Sequence, residues 1–346
     1  MKKKLTILTI ILTFQLSIAY TQKMYTGKTV GLKSQCVVKE GKKYNIISIP
    51  FIKPSIHNGD IEAINPDTFC LIDNDKFTKD LHPEKNYILL MTDGKMAGEW
   101  FFLSTNKTRK AKVNSSSQIF VDPFKSSTSD LSGISSSDSY EIHPLYDLTE
   151  LFPEDGSILP AGNFDYEAGR IQLLSNDQKT TLWLSNGNIT SQKGWIRISQ
   201  NNVNKQVDHF SILPGRAMII FHPKPEKDMY VYLTGEALEL PVSKPIYPGK
   251  NLISVEYQLS STYTSNRMDY SLDELNLIEN GFVGGKTIDE SDKVKIWNQE
   301  QSSYGDGIWL LRTDNDVNEW LTEYFLTPSF SVIQPGGGIL VQKLDR

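Results

Sequence analysis

The chain has 346 residues, with 36 Lys and Arg against 41 Asp and Glu and a formal net charge of −5. An acidic chain has no electrostatic footprint for a nucleic-acid backbone or an anionic lipid surface, so neither is an expected partner. The length is enough for two or three units with cores of their own.

The chain opens MKKK, followed by an apolar run from Leu5 to Ala19, and Ser17-Ile18-Ala19 places small residues where a signal peptidase reads. Residues 1–19 are expected to be a secretory signal peptide, since the run is too short for a membrane span. The mature chain should begin near Tyr20 and be secreted (periplasmic, cell-surface or extracellular) without a membrane span. Its acidic excess is concentrated at the end: from Gly249 on there are 8 basic and 15 acidic residues.

Cys36 and Cys70, the only cysteines, both fall in the exported part. An even count in an oxidising compartment predicts one disulfide, which would constrain the unfolded chain by about 3–4 kcal/mol. The alternative is two separate buried thiols, since CVV and FCLI both read as strands. Tyr44 to Phe51 is strand-like, rich in β-branched residues and stopped by Pro50. Residues 52–143 then alternate short β-like runs with turn signals. Asp93-Gly94, between NYILLMT and GEWFFLST, predicts a hairpin with a longer loop. Six short strands in this stretch predict a small inserted barrel or sandwich, and serine-rich 126–139 reads as a flexible surface loop.

Before this stretch and again from Pro144 the sequence uses words that recur later in the same order. NIIS (Asn45 to Ser48), LTEL (Leu148 to Leu151), TLWL (Thr181 to Leu184), Gly194-Trp195 and Pro214-Gly215 are matched by NLIS (Asn251 to Ser254), LDEL (Leu272 to Leu275), IWLL (Ile308 to Leu311), Glu319-Trp320 and Pro335-Gly336. LYDLTELF is the best helical stretch, with Leu145, Leu148 and Leu151 or Phe152 on one face. Self-similarity at this scale predicts two related β modules. The fold class is mainly β: two sandwich- or barrel-like modules, each with a short helix, over residues 20–51 with 144–245 and over 246–346. The small β domain of 52–143 is inserted in the first. Each Pro-Gly should form a turn before the closing strand, with the glycine at positive φ.

Motifs with a mechanism are few. Asp314-Asn315-Asp316-Val317-Asn318 matches the start of a calcium loop, with Asp314, Asp316 and Asn318 as ligands. Glu319 and Phe325 stand where such a loop needs glycine and glutamate, and a solvated acidic loop is the alternative. No other cofactor is expected. The five histidines sit in unrelated words, no carboxylate pair is singled out, and no catalytic residue is assigned. Trp183 and Trp195 alternate with aliphatic residues. If those aliphatics face the core, both indoles lie on the opposite face as a platform for sugar rings, repeated by Trp309 and Trp320. The alternative is a covering layer that makes all four core.

SIPFIKP, YILLMTDGKMAGEWFFL, DLSGISSSDSYEIHPLYDLTELFP and the TLWL…GW…ILPG series together resemble a family of uncharacterised secreted proteins with repeated β modules found in Verrucomicrobia-type bacteria. The resemblance covers nearly all of the mature chain and implies export and a repeated β architecture, without an activity or a catalytic residue. The expected function is that of a secreted structural, surface or adhesion protein without catalytic activity. A carbohydrate-binding protein using the paired tryptophans is the second reading and an extracellular hydrolase the third. The expected partners are surface polysaccharide or another extracellular protein.

Overall fold

The computed structural model describes residues 30–73, 81–82, 84–108, 116–175, 177–188, 190–198, 204–237, 242–254, 271–298, 303–305, 307–312, 318–322, 333 and 337–345. The segment read as a signal peptide lies outside them. The protein is mainly β. Strands β1 (Val30–Val38) and β2 (Tyr44–Ser48) open the chain. A closed six-stranded antiparallel barrel follows: β3 (His57–Asn65), β4 (Cys70–Asp73), β5 (Tyr87–Met91), β6 (Trp100–Leu103), β7 (Ser117–Asp122) and β8 (Ser139–Pro144), in the order β3-β4-β7-β6-β5-β8. Closure removes the edges that a small sheet would otherwise expose. Every residue of β5 is buried because both its faces are covered. Leu89 and Met91 join the barrel core, whereas Ile88 and Leu90 pack outside with Ile52, Trp100, Leu145 and Val242. The serine-rich segment is not a solvated loop. Ser126 and Ser127 accept the N–H groups of Phe102 and Trp100, and Leu131 and Ile134 are buried in the barrel core.

The chain then re-enters the first module through β9 (Tyr146–Asp147) and a single helical turn, α1 (Leu148–Leu151). Asp147 and Glu150 close a reciprocal capping box on that turn. Strands β10 (Arg170–Ser175), β11 (Gln178–Asn186), β12 (Lys193–Ile198), β13 (Asn204–Gln206), β14 (Ser211–Ile212), β15 (Ala217–Phe221) and β16 (Met229–Glu236) follow. The main sheet is β13-β12-β11-β10-β15-β2, and β16 pairs with β1 as a separate ribbon. Ribbon and helix cover one face of that sheet. Val37, Val231, Leu233, Leu148 and Phe152 pack there on Ile47, Leu182, Leu184, Trp195 and Met218. Leu145, expected on the same helical face, packs against the barrel instead.

The second module contains β17 (Gly249–Ser254), β18 (Lys293–Asn298), β19 (Ser303–Tyr304), β20 (Ile308–Arg312), β21 (Asn318–Thr322) and β22 (Gly338–Lys343), ordered β17-β22-β18-β20-β21. This is the order of β2-β15-β10-β11-β12, and the registers coincide as well. Ser48 faces Ala217 as Ser254 faces Gly338, and Ile171 faces Ile220 as Val294 faces Val341. Arg170 faces Trp183 as Lys293 faces Trp309, and Leu184 faces Trp195 as Leu310 faces Trp320. LDEL forms a 3-10 turn in place of a helix. Ser271 N–H donates to the Glu274 carboxylate at 2.6 Å and Glu274 N–H returns to Ser271 Oγ at 3.4 Å, four-residue geometry like that of Asp147 and Glu150.

The two sheets pack face to face through their opening and closing strands. Ile46, Ala217 and Leu252 form one buried cluster flanked by Ile219, Leu340 and Trp297. Ser48 Oγ donates to Gly337 O at 2.9 Å, and Ser254 N–H donates to Gly215 O at 3.0 Å. Each module therefore offers the other its NIIS or NLIS strand and the turn before its closing strand, as in an isologous dimer. Gly215 sits at φ +76° in that turn, whereas Gly336 lies outside the described residues.

The expected Cys36–Cys70 disulfide is not formed. Cys70 is a free, buried thiol whose pKa is pushed up by burial, against a hydrogen bond from the Ile119 backbone. Its strand pairs within the barrel, whereas Cys36 lies opposite Tyr230 in the ribbon, its side chain outside the described residues.

The two sheets approach closely at Gly338, where an added Cβ would overlap Ile46 Cγ2 and lie 3.0 Å from Ala217 Cβ. Gly338→Val should cost about 1–3 kcal/mol in urea unfolding of the protein. Gly305→Ala, whose nearest neighbour would be Ile296 O at 3.7 Å, should stay within about 0.5 kcal/mol. Equal effects would contradict the packing.

Candidate functional site

A polar cluster lies at the neck between the barrel and the first module. The chain enters the barrel through Ile52 and Lys53 and leaves through His143 and Pro144. Pro50 and Pro54 lack the N–H that a continued ladder from β2 would need, so the entering segment peels away. It is caught by the end of β16: Ile52 and Glu236 exchange two backbone hydrogen bonds, at 3.2 and 2.7 Å. Ile56 N–H then donates to Ile142 O at 2.8 Å.

On β8, strand alternation sends Tyr140 and Ile142 into the barrel core and Glu141 and His143 outward, toward the neck. The His143 side chain is 1% exposed. Its Nδ1 lies 2.7 Å from Lys53 O and its Nε2 lies 3.0 Å from Glu141 Oε2. Glu236, itself buried, brings its carboxylate to the same place, so that one donor atom from each of Glu141, His143 and Glu236 lies within 4.8 Å of the others.

Lys53 ties this cluster to the rest of the neck. Its ammonium pairs with Glu150 and lies 5.0 Å from the Tyr146 ring centre. Tyr146 donates to Thr234 O at 2.6 Å, and burial, with the nearby Glu150 charge, raises its pKa. Burial pushes Glu150 upward too. Its hydrogen bonds from Lys53 and the Asp147 N–H, with the Lys53 and Lys85 charges, outweigh that and hold it below the usual carboxylate value. Beside them an open cleft of about 130 Å³ runs between barrel and module, lined by His82, Lys85, Asp147, Glu150, His209 and Ser211. A third contact holds the barrel. Trp100 Nε1 donates to Ser243 O, Ser243 N–H donates to Gly98 O, both at 2.9 Å, and Ser243 Oγ donates to Glu99 at 2.7 Å.

The residues expected from sequence lie elsewhere. Trp183, Trp195 and Trp320 are 2%, 0% and 8% exposed, so they are core and not a sugar platform. The pairing explains why. Leu184 faces Trp195 and Ile196 faces Trp183, so the two indoles point to opposite faces of a sheet that is covered on both. Trp195 donates its Nε1 to Phe152 O at 3.0 Å. The Trp309 side chain lies outside the described residues, as do Asp314, Asp316 and the Asn318 side chain of the calcium-like run. The signal for the neck was the Glu141-x-His143 spacing in SYEIH. On a strand it places carboxylate and imidazole on one face, but Glu236 joins them only through the fold. Comparison of the chain with protein-family models, with curated proteins and with solved structures finds no match.

Trp195→Ala should destabilise the protein by about 3–5 kcal/mol, as for a buried aromatic. Titration of soluble glycans into the wild type should leave the emission of these buried indoles unchanged. A near-neutral Trp195→Ala in chemical denaturation would contradict the core assignment.

Proposed function

We propose that the protein is a secreted structural, surface or adhesion component without catalytic activity, in which two copies of a β module carry a rigidly held barrel. The observation that carries this reading is the attachment of the barrel. Two chain crossings, the Ile52–Glu236 pairing and the Trp100–Ser243 bonds fix it to the double-sheet core at separate points. A unit held by one linker could swing, whereas one held at several points presents its surface in a constant orientation. Such an arrangement suits a component that displays a surface to an extracellular polysaccharide or protein. The resemblance to secreted proteins of repeated β modules points the same way, as do the apolar run from Leu5 to Ala19 and the small residues that end it.

Expression of the full chain in a bacterial host, followed by fractionation and N-terminal sequencing, tests the export on which the reading depends. The expected product begins near Tyr20, lies outside the cytoplasm and is digested by protease added to intact or osmotically opened cells. A cytoplasmic product that retains Met1 to Ala19 would overturn it.

A further inference from the structure

The neck cluster has the chemistry of a metal site, and we propose that Glu141, His143 and Glu236 bind a divalent transition-metal ion, zinc above others, that clamps the barrel to the first module. The Nδ1 of His143 faces the Lys53 carbonyl oxygen at 2.7 Å, and a carbonyl only accepts, so Nδ1 carries a proton. In the neutral ring Nε2 is then a bare lone pair, and at 3.0 Å it faces a carboxylate oxygen of Glu141, also an acceptor. Two acceptors hold this distance only with a positive centre between or beside them, either a second ring proton or a metal. Glu236 argues for the metal: it adds a second carboxylate within 4.8 Å of both atoms. A metal takes all three of these atoms as ligands at once, whereas a ring proton on Nε2 engages only the Glu141 carboxylate.

The remaining features are those of a ligand set. An Nδ1–H held by a backbone carbonyl is the usual outer support of a histidine that ligates through Nε2, because it fixes both tautomer and ring orientation. Tetrahedral zinc with bonds of about 2.0–2.2 Å to nitrogen and oxygen places its donors somewhat over 3 Å apart. The His143 and Glu141 donors stand 3.0 Å apart and all three lie within 4.8 Å of one another, so side-chain rotation would bring the set to that spacing. An imidazole donor disfavours calcium and magnesium, which take oxygen ligands, and the lack of a thiolate disfavours copper(I). Three protein donors leave a fourth position for water. The donors come from β8 and β16, and the supporting carbonyl from the entering segment, so one ion would join all three strands of the neck.

The test uses the mature chain, stripped with a chelator, dialysed and titrated with zinc chloride in a calorimeter. One equivalent should bind and raise the melting temperature. Glu236→Gln and Glu141→Gln, near-isosteric and folded by circular dichroism, should each bind zinc at least about tenfold more weakly, since loss of an outer-shell partner alone costs that much. Cobalt(II) in place of zinc should give the intense visible bands of a four-coordinate nitrogen and oxygen site, and these should be absent in the variants. A folded wild type that retains no zinc and gives no cobalt spectrum would overturn the proposal, as would undiminished binding in both variants. In those cases His143 only bridges Lys53 O and Glu141 within the neck.

Discussion

The structure depends on the burial of the first module's sheet on both faces. One face is sealed by the ribbon of β1 and β16 with the turn at Leu148, the other by the second module. Each covering is incomplete without the sheet: a two-stranded ribbon is marginal by itself, and the second sheet would expose Leu252 and Leu340 to water. The consequence is visible in composition. β2 and β15 carry runs of adjacent apolar residues where a half-solvated strand would alternate. Gly338 permits the approach, because no side chain stands between its backbone and Ile46.

The barrel is a different solution to the same problem. It closes on itself, and then spends the outward face of β5, Ile88 and Leu90, on the neck. This joint is apolar at Trp100 and Val242 and polar at Lys53, Glu141, His143 and Glu236. Polar groups buried at a joint cost stability unless their partners are fixed, and in exchange they specify one geometry. A neck of this composition favours one orientation of barrel against module over sliding alternatives.

Much of the fold was legible because strand words have a short range. NIIS and NLIS, the Asp93-Gly94 hairpin between β5 and β6, and the helical run around Leu148 are local patterns, and each forms the local structure its chemistry dictates. Alternation was less informative for the tryptophans. Which aliphatics share a face with Trp195 depends on whether Leu184 or Trp183 stands opposite, and a slip of one residue exchanges the faces. Serine-rich 126–139 was misleading for another reason. Composition suggested solvation, but Ser126 and Ser127 replace ladder partners for Phe102 and Trp100, and two apolar residues in the run, Leu131 and Ile134, complete the barrel core. The pairing of Cys36 with Cys70 and the meeting of Glu236 with His143 are questions of tertiary distance, which no local pattern encodes.

The two sheets form one cooperative body through their opening and closing strands. Native-state hydrogen exchange on the intact protein tests this directly, because it reads the opening free energy of each strand separately. Amides of 46–48, 217–220, 251–254 and 339–341 should share the highest protection and lose it together as denaturant is added. Exchange of 251–254 and 339–341 through a separate, lower-energy opening, with 46–48 and 217–220 still protected, would contradict it.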